Sequence, residues 1–431
     1  MHRLLDAVYL LALLLLSPWL WWRRTFTGRY RQGLRERLCG LQADVPAGAV
    51  WFHAVSLGEV HVLRTLVAAF RQRWPGRAVV VSSTTETGLA EARKCFAELT
   101  VFPFPFDFSW AVRATLKRVR PAMVVLAESE LWPNFVLAAK RARVPLAVVN
   151  ARMSPRSFGR YHLLGPVVRW LFAGLDAAGV QTEEYAAHFL QLGTVPGRVR
   201  VTGNIKYDGA RTDRRDEKTR ALGERFGVAA GDLVWVAGST LAPEEEVVLD
   251  AYRRLRQAHA NLRLFLAPRQ PDRFEAVARL LEKSGLAFVR RSQAGATGGR
   301  GDVVLLDSTG ELAALWGLAH LAFVGGSLDG RRGGQNMIEP AGYGAAVTFG
   351  PHVWNFKEPA RRLVEVGGAY QVRDAAELFA VSQRLLGDAE ERRAAGAAAR
   401  AFVLAQQGAT GRTLDLLGEV LEAQQAAERA A

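Results

Sequence analysis

Cysteine is almost missing from this chain, with two residues in 431, Cys39 and Cys95. A disulfide scaffold is thereby excluded, and the usage fits a reducing compartment. No G-x-G-x-x-G follows the first strand pattern, which disfavours a dinucleotide-binding enzyme. No G-x-x-x-x-G-K-[ST] occurs, which disfavours a P-loop nucleotidase. Asp-x-Asp is absent too, so the short acidic clamp that holds a metal on a nucleotide-sugar is missing. The eight histidines are scattered and none pairs with a cysteine in sequence, so no metal site is expected. Beyond the first 22 residues no apolar run reaches 18. What is present is ordinary for a globular protein, 49% hydrophobic and 23% charged. The length predicts two or three domains. The formal net charge of +14 favours anionic partners. Outside residues 23–37 the basic residues are dispersed among acidic ones, so nucleic acid is not an expected partner.

The chain opens on an apolar run, Leu4 to Trp22, about 28 Å long as a helix. Tyr9, Trp19, Trp21 and Trp22 stand where interface aromatics belong. Arg23, Arg24, Arg29, Arg31, Arg35 and Arg37 follow, against a single Glu36, and the positive-inside rule puts this flank in the cytoplasm. A membrane anchor over 1–22 is expected, either spanning the bilayer or lying in its interface. A cleaved leader is the poorer alternative, since Trp-Trp-Arg-Arg makes a poor cleavage site.

Short β-branched runs then alternate with amphipathic stretches. Val50–His53, Ala78–Val81, Met123–Ala127, Leu146–Asn150, Ala177–Gln181 and Val199–Thr202 read as strands of a parallel sheet. The pattern breaks over the charged stretch at 209–222 and restarts at Leu233–Ala237, Leu262–Ala267, Leu286–Val289, Val303–Leu306, Leu321–Val324 and Ala346–Phe349. Two doubly wound, Rossmann-like α/β domains are expected, at 23–208 and 223–431, joined by a 209–222 linker and facing a cleft. In such sheets ligands bind at the carboxyl ends of the strands.

Candidate residues fall at those ends. Glu59 stands at a helix start after the first strand, and reads equally as a capping carboxylate or as a general base. Ser83–Gly88 reads as an N-cap or an anion cradle. Glu128 and Glu130 precede Leu-Trp-Pro-Asn. Lys206 reads as a cleft-facing cation or a solvated one. In the second half Arg269, after Pro268, is the best candidate for a bidentate phosphate contact. Further turns stand at Gly238–Thr240 with Glu244–Glu246, Thr309-Gly310-Glu311, Gly325–Ser327, Gly333–Glu339 and Gly350–His352. Each is weak alone. Together they point to a nucleotide-type ligand, with Glu339 placed to hold ribose hydroxyls.

The motifs His53-Ala-Val-Ser-Leu-Gly-Glu59, Glu128-x-Glu-Leu-Trp-Pro-Asn134, Asn150-Ala-Arg152-x-Ser154, Gly203-Asn-x-Lys206, Ala267-Pro-Arg269, Phe323-Val-Gly-Gly-Ser327, Gly333-Gly-x-Asn336-x-x-Glu339 and Gly350-Pro-His352-x-x-Asn355-Phe356 together resemble the Kdo transferase family. Its members move 3-deoxy-D-manno-octulosonic acid (Kdo) from CMP-Kdo onto lipid A precursor in lipopolysaccharide biosynthesis. The resemblance implies a GT-B fold, inversion, no cofactor, no metal on the donor phosphate, and a place on the cytoplasmic side of a Gram-negative inner membrane with its anionic surface. It implies Glu59 as general base, and Glu128 and Lys206 as transition-state support. It implies that Pro268, Arg269, Thr309, Gly310, Glu311, Asn336, Met337, Ile338 and Glu339 hold CMP. Gln335 departs from the family's usual His, and the loop Asp329–Arg332 is one residue longer than usual. The rival reading is another membrane-associated GT-B glycosyltransferase that uses a UDP-sugar.

Overall fold

The computed structural model describes residues 2–26, 33–294 and 299–430. Arg29 and Arg31 of the basic flank, and part of the glycine-rich stretch at 295–301, lie outside the described residues.

The chain divides into two compact units, 1–208 with 407–431, and 209–406. Each is built on a seven-stranded sheet. The first holds β1 (Val50–Ala54), β2 (Val79–Ser83), β3 (Thr100–Pro103), β4 (Met123–Ala127), β5 (Leu146–Ala151), β6 (Ala177–Val180) and β7 (Val199–Val201). Their order is β3-β2-β1-β4-β5-β6-β7, with every pairing parallel. The second holds β8 (Leu233–Thr240), β9 (Leu262–Pro268), β10 (Phe288–Arg290), β11 (Val303–Leu305), β12 (Leu321–Val324), β13 (Ala346–Phe349) and β14 (Ala369–Gln371), in the order β10-β11-β9-β8-β12-β13-β14, again all parallel. Helices cover both faces, so the central strands are buried throughout and read as near-continuous Val, Ala and Leu.

Two short strands escape the sequence reading. β3 and β14 are edge strands of four and three residues, and neither is buried along its whole length. An edge strand with one neighbour needs less apolar patterning than a central one.

In the first sheet the order reverses between β1 and β4; in the second, where β10 and β11 are also exchanged at the edge, it reverses between β8 and β12. Loops leaving those strands open a crevice at their carboxyl ends.

The end of the chain corrects the expected domain boundary. Helix Ala389–Gln406 belongs to the second unit and helix Ala409–Ala430 to the first. Leu414, Leu416, Leu417 and Leu421 pack in one core with Val50, Phe52 and Val60. The chain breaks between these helices at Gly408, whose φ of 89° suits glycine. Asp208 then caps the last helix, accepting from the N–H groups of Gly408 and Thr410. The charged 209–222 stretch is not wholly a linker. Asp216 accepts from the N–H groups of Lys218 and Thr219 and so caps helix Glu217–Arg225 of the second unit.

The N-terminal apolar run is helical over His2–Phe26. Among the described residues no helix is long and apolar enough to cross a membrane. The first turns are tied to the first unit through polar groups. Asp6 accepts from the Ser109 N–H at 2.8 Å and from the Asn134 amide at 3.1 Å. The Tyr9 hydroxyl donates to Asp107 at 3.0 Å. Asp6, a blemish in an apolar run, is thus a cap for helix Ser109–Val119. Leu4, Leu11, Leu14 and Leu15 stay exposed.

Candidate active site

Two residues separate β1 from helix Leu57–Arg73, at the carboxyl end of that strand. Glu59 lies in its first turn and is only 8% exposed. Its carboxylate accepts from the Val55 N–H at 2.7 Å and from the Ser56 hydroxyl at 2.8 Å. The reach back to a backbone N–H resembles a capping box. The other half of that box is absent, because Ser56 makes no side-chain cap bond to the helix. Burial lifts the Glu59 carboxyl from 4.5 to about 7, helped by the charges of Glu128 and Glu130 and opposed by the two hydrogen bonds. A plain cap should sit lower. A carboxyl poised near neutrality suits a base.

Glu128 follows β4, the neighbour of β1 across the reversal, and its N–H donates to the Val149 carbonyl. It holds φ at 58°, a region that non-glycine residues avoid and that gathers at functional sites. Arg152 donates to its carboxylate at 2.8 Å. Burial, then the charge of Glu128, pushes the Glu130 carboxyl up. Lys206 sits in the short helix Ile205–Tyr207 that follows β7. Burial pulls its ammonium down from the usual lysine value, while Glu128 and Glu59 pull it back up. The three residues implied as catalytic are therefore near enough to feel one another's charge.

The residue that builds this arrangement was visible in a motif but carried no role in the sequence reading. Asn150, the last residue but one of β5, holds φ 53°, and its side-chain oxygen accepts from the Ile205 N–H at 3.0 Å. It fixes the turn carrying Lys206. Arg152, two residues on, orients Glu128. The spacing Asn-Ala-Arg at a strand end was the signal. His53 is buried on β1, stacked on Phe104 with centroids 3.8 Å apart and bonded to the Ser82 hydroxyl at 2.9 Å. Burial drops its imidazole to about 3, so it is a neutral brace. The Ser83–Gly88 turn proves a helix cap. Thr85 accepts from the Gly88 N–H and donates to the Val55 carbonyl, so it also braces the loop that holds Glu59.

In the second unit the parallel order puts the loops after β11, β9, β8, β12 and β13 at one edge. Pro268 ends β9, and the Arg269 N–H donates to the Thr240 carbonyl. The Arg269 side chain is exposed and makes no ion pair or hydrogen bond among the described residues. Thr309 and Gly310 are exposed, Gly310 at φ 91°. The Glu311 carboxylate is paired with Arg291 at 2.9 Å. Met337 and Ile338 are fully buried at the start of a short helix, so only their backbone could meet a ligand. Asn336 accepts from the Ile338 N–H and donates to Glu339 at 3.0 Å, holding that carboxylate at the helix start. Gly333 cannot carry a side chain: a Cβ would lie 2.2 Å from the Trp354 indole. The Gln335 amide lies against Gly326.

One expected ligand turn is already occupied. Gly325–Ser327 would offer N–H groups to an anion, but the buried Glu244 takes them. Its carboxylate accepts from Leu241, Gly326, Ser327 and Leu328 at 2.7–3.0 Å. Sequence reasoning grouped Glu244 with the ligand turns because an acid across the reversal point gives no local sign of its partner.

Two Rossmann-like units with chemistry-bearing loops at the carboxyl ends of parallel strands define the GT-B-like class of α/β proteins. The UDP-GlcNAc 2-epimerase of Neisseria meningitidis, solved with UDP-GlcNAc, has this fold: TM-score 0.55 at 13% identity, over 86% of this chain and 99% of that one. Residues 32–209 match the family described as 3-deoxy-D-manno-octulosonic-acid transferase (kdotransferase). A 3-deoxy-D-manno-octulosonic acid transferase of Bordetella pertussis is 38% identical over 432 residues, 96% of this chain and 99% of that protein. One from Haemophilus influenzae is 34% identical, over 91% and 92% respectively. The chain belongs to the 3-deoxy-D-manno-octulosonic acid transferase family, and so is a glycosyltransferase.

Proposed function

We propose that this enzyme transfers Kdo from CMP-Kdo to a hydroxyl of lipid A precursor, with inversion, and that Glu59 is its base. The observation that carries the reading is Glu59 itself: buried at the reversal point of the first sheet, titrating near 7, beside Glu128 and Lys206. The Glu59 carboxylate takes the acceptor hydroxyl's proton as that oxygen bonds to the anomeric carbon. The bond from that carbon to the phosphate oxygen breaks on the opposite face, and its electrons leave with CMP. Lys206, next to Glu128, is placed to offset negative charge on the sugar carboxylate or the phosphate. The donor nucleotide is assigned to the second unit. Arg269 contacts the phosphate, the Thr309-Gly310 loop and Asn336 offer polar groups, and Glu339 takes ribose hydroxyls.

The N-terminal helix supports a place at a membrane surface. Leu4, Leu11, Leu14 and Leu15 form an exposed apolar surface on an element tied to the first unit. Together with the arginine-rich flank and a net charge of +14, it suits attachment to an anionic membrane, with the enzyme on the cytoplasmic side of the inner membrane.

The test is a pH–rate profile with Glu59→Gln. For the wild type, kcat/KM should rise through about pH 7 as Glu59 ionises. Glu59→Gln should keep CMP affinity and lose ~10²-fold or more in turnover. Turnover within a few-fold of wild type would remove Glu59 as the base.

A further inference from the structure

The sequence predicts no metal site, because no histidine neighbours a cysteine along the chain. The fold brings one pair together across two helices. His61 lies on helix Leu57–Arg73, and Glu91 and Cys95 lie on helix Glu86–Cys95. The His61 ring nitrogen is 3.6 Å from the Glu91 carboxylate, and the Cys95 sulfur is 3.6 Å from the same oxygen. All three ligand atoms fall within 4.8 Å of one another. We propose that His61, Glu91 and Cys95 form a site for a soft divalent cation, Zn²⁺ being the best match.

Bond lengths of about 2.0 Å to nitrogen and oxygen and 2.3 Å to sulfur put the atoms of a tetrahedral set with one sulfur roughly 3.3–3.6 Å apart. Two of the contacts are at 3.6 Å, and the third pair lies within 4.8 Å. Glu91 and Cys95 are four residues apart on one helix, so their side chains share a face. The donor set is one imidazole, one carboxylate and one thiolate, which selects zinc over magnesium or calcium. All three residues are half-buried, which leaves a fourth position open to water.

The charges also fit. The thiol donates to the Glu91 carboxylate. A bound dication replaces the proton, and two anionic ligands then offset its charge. Arg64 lies beside Cys95. Its side chain is solvent-exposed and can move outward when a cation arrives. His61 follows Glu59 by two residues, about 200° round the helix. The site is therefore off the reacting face, a clamp between two helices flanking β1 and β2.

The test uses the full chain, reduced and stripped of metal, then titrated with Zn²⁺ or Co²⁺. One equivalent of Zn²⁺ should remain bound after desalting, and Co²⁺ should give a thiolate charge-transfer band. Cys95→Ser and His61→Ala should each abolish the band or weaken binding at least tenfold. Glu91→Gln, which keeps the shape of the side chain, should weaken it as well. Cys39→Ser, at the other cysteine, should change nothing. Circular dichroism verifies that each variant is folded. No zinc retained by folded wild type at micromolar concentration overturns the proposal. So does retention unchanged in folded Cys95→Ser and His61→Ala.

Discussion

A base held near neutrality should cost stability, and the size of that cost can be worked out at Glu59. In the unfolded chain its carboxyl titrates near 4.5, and in the folded chain near 7. Between those values the folded state binds more protons than the unfolded one. Stability from this group is therefore full below about pH 4.5 and is lost as pH rises through 7. At 1.36 kcal/mol per pH unit the loss amounts to roughly 3 kcal/mol at pH 8. Glu59→Gln removes the charge but keeps an oxygen for the Val55 N–H and gives up the stronger, charge-assisted bonds. The net gain at pH 8 should be about 1–3 kcal/mol, a rise of roughly 2–10 °C in the melting temperature of a unit of this size. At pH 4 the gain should nearly vanish, because the wild-type carboxyl is then mostly neutral in both states. Thermal unfolding of both proteins from pH 4 to pH 8, followed by circular dichroism, measures it. A variant less stable than wild type at pH 8, or a difference that does not move with pH, would refute the reasoning.

Three other outcomes are expected. His53 titrates near 3 when folded and 6.5 when unfolded, so its contribution is full above pH 6.5 and is lost as pH falls towards 3; urea unfolding at pH 4 and 7 should show a drop that His53→Gln lacks. Glu244→Ala strands four buried N–H donors, each worth about 1–3 kcal/mol, so the second unit should melt markedly earlier, with Glu244→Gln intermediate, as calorimetry can resolve. Arg269→Ala should leave the melting temperature unchanged, since its side chain braces nothing among the described residues, and should raise KM for CMP-Kdo about 10–100-fold.

Much of this was legible in the sequence because buried parallel strands announce themselves. Val79-Val80-Val81 and Met123–Ala127 are runs that only a doubly covered sheet makes natural. The carboxyl-end rule alone then puts Glu59 and Glu128 at the crevice of one sheet. The rest was hidden for three physical reasons. Edge strands such as Ala369–Gln371 are too short to show a period. A helix that crosses back to the first unit looks, in sequence, like any other closing helix; only the Leu414, Leu417 and Leu421 contacts reveal its partner. Pairings distant in sequence, such as Glu244 with the Gly326–Leu328 amides or His61 with Cys95, leave no local trace.

The most direct measurement of the central claim is product mass. Purified enzyme in detergent would receive lipid A precursor and CMP-Kdo, in parallel with Glu59→Gln, and mass spectrometry would count the sugars added. Wild type should add at least one Kdo increment, and Glu59→Gln should add it ~10²-fold more slowly. Folded, CMP-binding wild type that adds none, or that transfers a sugar from a UDP donor instead, would contradict the account.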